Sequence, residues 1–200
     1  SAAQYSNAYS HKNKTMVTVA LLIPEGDEIG PAFHHHRIEI ISGPEDDVLN
    51  RYVKMAERRD ADYIVRVTGD CPLLPHFLIG KAIVVAQKNN LDYVSNVDEG
   101  IRTAADGFDI EVISRRALDW LNVVSTDPKE REHVTMAIRT HELPPEFKIG
   151  HIVGYVDLAN IKLSVDTQDD LERVRAHYGR IQRAVTTAEA KNGKGSIHRY

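Results

Sequence analysis

The sequence predicts a three-layer α/β domain, a mostly parallel sheet held between helices. Three observations predict it. Apolar runs such as Met16 to Ile23 are continuous rather than alternating, as in strands covered on both faces. Strand and helix patterns alternate through the first half in units of about thirty residues, the mark of βαβ connections. Finally, the β-branched run Ile64 to Val67 stops abruptly at Thr68-Gly69-Asp70-Cys71-Pro72. A strand of that kind delivers a carboxylate to the carboxyl edge of the sheet, where open α/β folds place their ligands.

The 200 residues fit one domain and can bury a sizeable core. Residues 1–15 are expected to form a polar leader, 16–185 a single domain and 186–200 a loose tail. The composition, 42% hydrophobic and 27% charged, is that of a soluble globular protein. A formal charge of −4 lacks the basic excess of a nucleic-acid binder and favours a small-molecule partner. No run is long and apolar enough to span a membrane, and no signal-peptide pattern opens the chain. The lone Cys71 excludes an internal disulfide and fits a reducing, cytoplasmic location.

In chain order, Met16 to Ile23 is the first expected strand, broken by Pro24-Glu25-Gly26-Asp27. A short helix is expected over Glu28 to His35 and a strand over Arg37 to Ile41. Gly43-Pro44-Glu45-Asp46-Asp47 marks a helix start, with proline suited to the first position and acids to the macrodipole. Val48, Leu49, Tyr52, Val53 and Ala56 form its buried face. A strand over 62–67 follows, then a helix from Pro75 with Leu78, Ile79, Ala82, Ile83 and Ala86 inward. Leu91 to Ser95 and Phe108 to Ile113 are strands. Ser114 caps a helix carrying Ala117, Leu118, Leu121 and Val124. Asp127-Pro128-Lys129-Glu130 starts another, with an N-cap, a proline and an acid. Lys148 to Val156 and Ile161 to Val165 are expected as late strands. Thr167 caps a long helix with Leu171, Val174, Tyr178 and Ile181 on one face, and loose chain is expected from Thr186.

Two strand ends carry the candidate chemistry. Leu163-Ser164-Val165-Asp166-Thr167 repeats the shape of the segment that ends at Asp70. Each aspartate alone also reads as an ordinary turn or capping residue. Together, at one edge, they suit Mg²⁺, which takes one or two carboxylates and is completed by waters and substrate phosphates. Asp109 and Glu111 alternate onto one face of their strand, either a plain half-exposed surface or an acidic shelf for polyol hydroxyls. Arg131-Glu132-His133-Val134-Thr135 is either a solvated helix face or a contact to sugar or phosphate.

Other features carry less. Consecutive residues on a helix point about 100° apart, so His34-His35-His36 cannot chelate one ion together. Cys71 reads as a small buried residue with no activating base in view. Asp169-Asp170 fits electrostatic capping, and Lys191-Asn192-Gly193-Lys194-Gly195-Ser196 lacks the spacing and preceding strand of a phosphate loop.

Five segments, in order, resemble those of the cytidylyltransferases that activate sugars as CMP-sugars, in particular the spore coat polysaccharide biosynthesis protein F branch. They are Gly43-Pro44-Glu45-Asp46-Asp47-Val48-Leu49-Asn50-Arg51-Tyr52, Val65-Arg66-Val67-Thr68-Gly69-Asp70-Cys71-Pro72-Leu73, Asp106-Gly107-Phe108-Asp109-Ile110-Glu111-Val112, Arg131-Glu132-His133-Val134-Thr135, and Ser164-Val165-Asp166-Thr167 with Asp170-Leu171. The resemblance implies a nucleotide-diphosphosugar-transferase-like fold and transfer of CMP from CTP to a hydroxyl of a sugar, expected to be acidic, in surface polysaccharide biosynthesis. It implies that Asp70 and Asp166 are catalytic and bind Mg²⁺. Arg66, Asp106, Asp109, Glu111, Arg131 and His133 are implied to bind substrate. It also implies a homodimer.

The family opens with a strand and a basic loop that cradles the triphosphate. No Arg-x-x-Ser-x-Arg-Leu-Pro-Gly-Lys-like stretch is present here. The first βα unit is therefore expected to be lacking, through truncation, loss of catalysis or cover by another subunit. A non-catalytic sugar-binding or assembly module is the alternative expectation.

Overall fold

The computed structural model describes residues 17–33, 38–98, 100–154 and 157–191, with side chains described through Arg180. The chain forms β1 (Ala20–Pro24), α1 (Gly30–Phe33), β2 (Glu39–Gly43), α2 (Val48–Arg59), β3 (Tyr63–Arg66), α3 (His76–Asn89) and β4 (Tyr93–Ser95). These are followed by β5 (Glu111–Ser114), α4 (Arg115–Val124), α5 (Pro128–Glu132), α6 (Ala137–Thr140), β6 (Ile149–His151) and α7 (Gln168–Lys191).

β1 and β2 pair in parallel as a two-stranded sheet. The main sheet runs β3-β5-β4-β6. β5 is antiparallel to both β3 and β4, while β4 and β6 are parallel. Three of its four strands therefore point one way and β5 alone is reversed, so the fold is the expected α/β architecture with one inverted strand. The register aligns the carboxyl ends of the other strands with the start of β5. Arg66 and Ser95 both face Glu111, and His151 faces Ser95.

Side-chain alternation splits this sheet between two cores. On one side Ile64, Tyr93 and Ile113 pack with Leu49, Val53 and Ala56 of α2 and with Ala117, Leu118 and Leu121 of α4. On the other, Val94 and Val112 pack with Ala82 and Ala86 of α3. Tyr93, Val94, Val112 and Ile113 are almost fully buried, which explains why these strands read as unbroken apolar sequence. Each such side chain contributes about 1.5–3 kcal/mol relative to exposure.

The helix starts follow their caps. Asp47 accepts the Asn50 N–H at 3.0 Å, Ser114 the Ala117 N–H at 3.1 Å and Asp127 the Lys129 N–H at 2.8 Å. α2 therefore begins after Asp47 rather than at Pro44, whose carbonyl instead accepts from Arg51. α2 and α3 end on Asp60 and Asn90 in the left-handed conformation that short polar side chains tolerate.

Several expectations change, among them the late strand expected over Lys148 to Val156, which is confined to Ile149–His151. β1 begins at Ala20, and the histidine triplet lies outside the described residues. β5 begins at Glu111, with Phe108 to Ile110 leading into it as irregular chain. Ile161 to Val165 is no strand; its ladder is a single parallel bridge between Asp106 and Lys162. α7 continues to Lys191, beyond the Thr186 where loose chain was expected.

Asp92 links these elements. It is buried and accepts from Arg116 Nη2 at 2.6 Å and Nε at 3.0 Å, from Ser114 Oγ at 2.9 Å and from the Lys148 N–H at 3.0 Å. Burial pushes its carboxyl pKa up, but these donors outweigh burial and leave it below the ordinary value. A depressed folded pKa stabilises the fold above the unfolded value of about 3.9, and that stability is lost as pH falls through the lower folded value. Asp92→Asn is expected to cost about 1.5–3 kcal/mol at pH 7, the scale of hydrogen bonds to a charged group. Urea titrations across pH are expected to show the gap to wild type closing below about pH 4.

Candidate active site

Asp70 lies four residues beyond the end of β3, at the carboxyl edge. The Val165 N–H donates to the Asp70 carbonyl at 2.9 Å, which draws the segment carrying Asp166 to that edge. Asp166 is fixed from behind by the start of α7. Thr167 Oγ1 accepts the Asp170 N–H at 3.2 Å, and Asp170 Oδ2 accepts the N–H groups of Asp166 and Thr167, each at 3.1 Å. This reciprocal capping box makes Asp170 a structural acid, with its carboxyl held well below the usual range by Lys162 first and then Arg173.

Gly107 brings the third segment in. A Cβ there would meet the Leu163 carbonyl carbon and the Ser164 nitrogen, each at 2.5 Å, and its φ of +99° belongs to glycine. The close approach lets Asp106 exchange backbone hydrogen bonds with the neighbouring segment: its N–H donates to Ile161 O at 2.9 Å, and its carbonyl accepts from Leu163 at 2.6 Å. Ser164 Oγ lies 2.9 Å from Asp106 Oδ2 and 3.4 Å from Asp166 Oδ2, between the two carboxylates.

Arg102 ties in the last acid, donating to Asp109 Oδ1 at 2.6 Å and lying 3.7 Å from Asp106. Burial raises the Asp109 pKa; Arg102 opposes this, and the charges of Asp106 and Asp70 add to it. The same acidic surroundings act on Cys71. Burial first, with Asp70 and Asp109 adding, pushes its thiol to about 11. It is a buried thiol donating to Asp70 Oδ1 at 3.6 Å, not an activated nucleophile.

Asp70, Asp106, Asp109 and Asp166 thus gather at one edge. Among the described residues no group of three or more His, Cys, Asp or Glu side chains could hold a metal unaided. Asp70 and Asp166 are exposed hard-oxygen donors, and an ammonium, Lys162 Nζ, already stands 2.7 Å from Asp166 Oδ2. Such a pair fits a divalent cation that takes its remaining ligands from water and phosphate.

The other predicted residues are placed differently. Glu111 does not share an exposed shelf with Asp109. It is buried at the start of β5, and both its oxygens are used: Oε1 accepts from Tyr93 at 2.5 Å and Thr135 at 2.6 Å, and Oε2 from Arg66 at 2.5 Å. The strand periodicity fails as a guide because Asp109 precedes the strand. Arg66 is Glu111's partner across the β3–β5 ladder. Arg131 staples helices together, donating to Ser125 O at 3.1 Å and pairing with Asp47, the N-cap of α2, at 2.9 Å. His133 is the exposed C-cap of α5. The next residue, Val134, is fully buried at φ +54°, a costly conformation for a β-branched side chain that its core packing enforces. Arg102 and Lys162 were not singled out from sequence; only their i,i+4 spacing to Asp106 and Asp166 signals them.

A strand-ended α/β sheet with aspartates at its carboxyl edge and one reversed strand is a nucleotide-diphosphosugar-transferase-like fold. The solved cytidylyltransferase of Leptospira borgpetersenii superposes with a TM-score of 0.73 at 22% identity, covering 90% of this chain and 81% of that one. The chain belongs to the cytidylyltransferase family, whose model matches residues 2–184. Spore coat polysaccharide biosynthesis protein SpsF of Bacillus subtilis is 27% identical over 177 residues, 86% of this chain and 70% of SpsF. The Methanocaldococcus jannaschii protein MJ1063 is 32% identical over 137 residues, 68% of this chain and 54% of that protein. The matched region thus spans about half the length of MJ1063. No described helix is long and apolar enough to cross a membrane.

Proposed function

We propose that the chain is a nucleotidyltransferase that moves CMP from CTP to a sugar hydroxyl, in the building of a surface polysaccharide. A bond forms between the sugar oxygen and the α-phosphorus, the bond to the bridging oxygen breaks, and pyrophosphate leaves. The hydroxyl proton is released to solvent in the same step. The observation that carries this reading is the Val165 to Asp70 backbone hydrogen bond, which draws the segment carrying Asp166 beside Asp70 at the sheet's carboxyl edge.

Asp70 and Asp166 would hold a divalent cation, Mg²⁺, which when bound would supply positive charge to offset the negative charge building on the phosphoryl oxygens. Lys162, between Asp166 and Asp170, restrains Asp166 through its Oδ2. Asp106 and Asp109, aimed by Arg102 and Ser164, present acceptors for sugar hydroxyls beside the same edge.

Calorimetric titration with CTP and Mg²⁺ tests the reading. Asp70→Asn and Asp166→Asn are each expected to weaken Mg²⁺-dependent CTP binding at least about tenfold, one charge of a two-carboxylate site being worth on the order of 1.4 kcal/mol or more. Both acids are exposed, so circular dichroism is expected to show native folding. Mg²⁺-dependent CTP binding that survived both substitutions would rule the metal assignment out.

A further inference from the structure

β2 pairs with β1 alone, so one side of it is open. The Glu39 N–H donates to Val19 O at 3.1 Å, and the Gly43 carbonyl accepts from the Glu25 N–H at 2.9 Å. Backbone groups alternate in direction along a strand. Glu39, Ile41 and Gly43 therefore turn theirs to β1, and Ile40 and Ser42 each turn an N–H and a C=O to the opposite side. No described residue pairs with those outward groups. An open row of this kind is a template for one more strand.

Cations stand along the row. An open cleft of about 320 Å³ is lined by Ile40, Ile41, Ser42, Lys54 and Arg58. Lys54 and Arg58 lie one turn apart on the same face of α2. Lys54 folds over the end of β2, where a Cβ on Gly43 would lie 3.4 Å from its Nζ. Its ammonium has no hydrogen bond or ion pair among the described residues. Arg58 Nε lies 2.7 Å from Glu39 Oε1, and Arg59 Nε lies 2.5 Å from Glu39 Oε2. Glu39 is thus matched twice, and it leaves Lys54 without a counter-charge.

The charge decides what the edge accepts. A second copy of β2 laid on it would set Lys54 and Arg58 against their own copies, and like charges facing each other across a sheet are destabilising. An extended segment that alternates carboxylates with apolar residues fills the row with its backbone and gives both cations a partner. We propose that the free edge of β2 is a docking site for an extended acidic segment of a partner protein, which joins the β1–β2 sheet as a third strand beside Lys54 and Arg58.

Fluorescence anisotropy of the full chain with two labelled peptides tests this, one alternating valine with glutamate and the other valine with lysine. The glutamate peptide is expected to bind about tenfold or more tighter than the lysine peptide. Lys54 is exposed and unpaired, so Lys54→Glu is expected to fold as wild type and to remove most of that preference. Ser42→Pro deletes a donor that β1 does not use, so it is expected to keep the β1–β2 ladder and to weaken the glutamate peptide about tenfold. Ser42→Ala keeps the donor and is expected to bind as wild type. Equal binding of the two peptides, no binding of the glutamate peptide at millimolar concentration, or a preference that persists in Lys54→Glu overturns the proposal. So does glutamate-peptide binding that is unchanged in a folded Ser42→Pro. Peptide-free dimers in sedimentation that Ser42→Pro dissolves would make a second copy the occupant, and the proposal would fall.

Discussion

Glu111→Ala is expected to lower stability by about 3–5 kcal/mol, because it strands a buried arginine. Arg66 is mostly buried, and its Nε is already a buried donor with no partner among the described residues. Desolvation pushes its pKa down; the charge and hydrogen bond of Glu111 reverse that. Without Glu111, the guanidinium keeps its burial and loses its counter-charge. Tyr93 and Thr135 lose their acceptor in the same step, each a buried polar group. Glu111→Gln keeps the volume and one carbonyl acceptor, so it is expected to cost less than Ala. The double variant Arg66→Met/Glu111→Met is expected to recover much of the loss, since removing both partners removes the uncompensated charge. Urea midpoints of the four proteins check this. If Glu111→Ala lost less than about 1 kcal/mol, the scale of a surface ion pair, Glu111 would not be the anchor of this sheet edge.

The sequence misreads Glu111 for a reason that also limits the rest of the site. Charged residues are read as exposed unless a partner is in view. Arg66 lies across a strand pair, and Arg116, the partner of Asp92, lies beyond an intervening strand. Local signals fared better. Ser114 and Asp127 cap helices as the sequence predicts, because capping needs only the next two or three residues, whereas α2 starts after Asp47 and not at Pro44. The apolar strands were legible because both faces are covered. Asp70 was placed by the abrupt end of an apolar run. Asp166 was placed by a false strand: Ile161 to Val165 copies the strand pattern but is held by the Asp106 backbone and the capping box instead.

Gly107 rather than Gly69 is the glycine on which the carboxylate site depends, and paired alanine substitutions are expected to separate them. At Gly69 an added Cβ meets nothing within 4 Å, and the backbone is outside the left-handed region, so Gly69→Ala is expected to change stability by no more than about 0.5 kcal/mol. At Gly107 the Cβ collides with backbone atoms that cannot rotate away, and φ +99° adds strain. Left-handed strain of roughly 1–2 kcal/mol and overpacking of roughly 1–3 kcal/mol give an expected loss of about 3 kcal/mol for Gly107→Ala. The protein can relieve the clash only by moving Leu163 and Ser164 away. That movement breaks the Asp106 to Leu163 hydrogen bond and shifts Ser164 from between Asp106 and Asp166. Gly107→Ala is therefore expected to weaken Mg²⁺-dependent CTP binding as well as stability, measured below the variant's unfolding transition so that folded protein is compared with folded protein. A variant that lost stability but bound Mg²⁺ and CTP as wild type does would show that the Asp106 segment supports the fold without aligning Asp166.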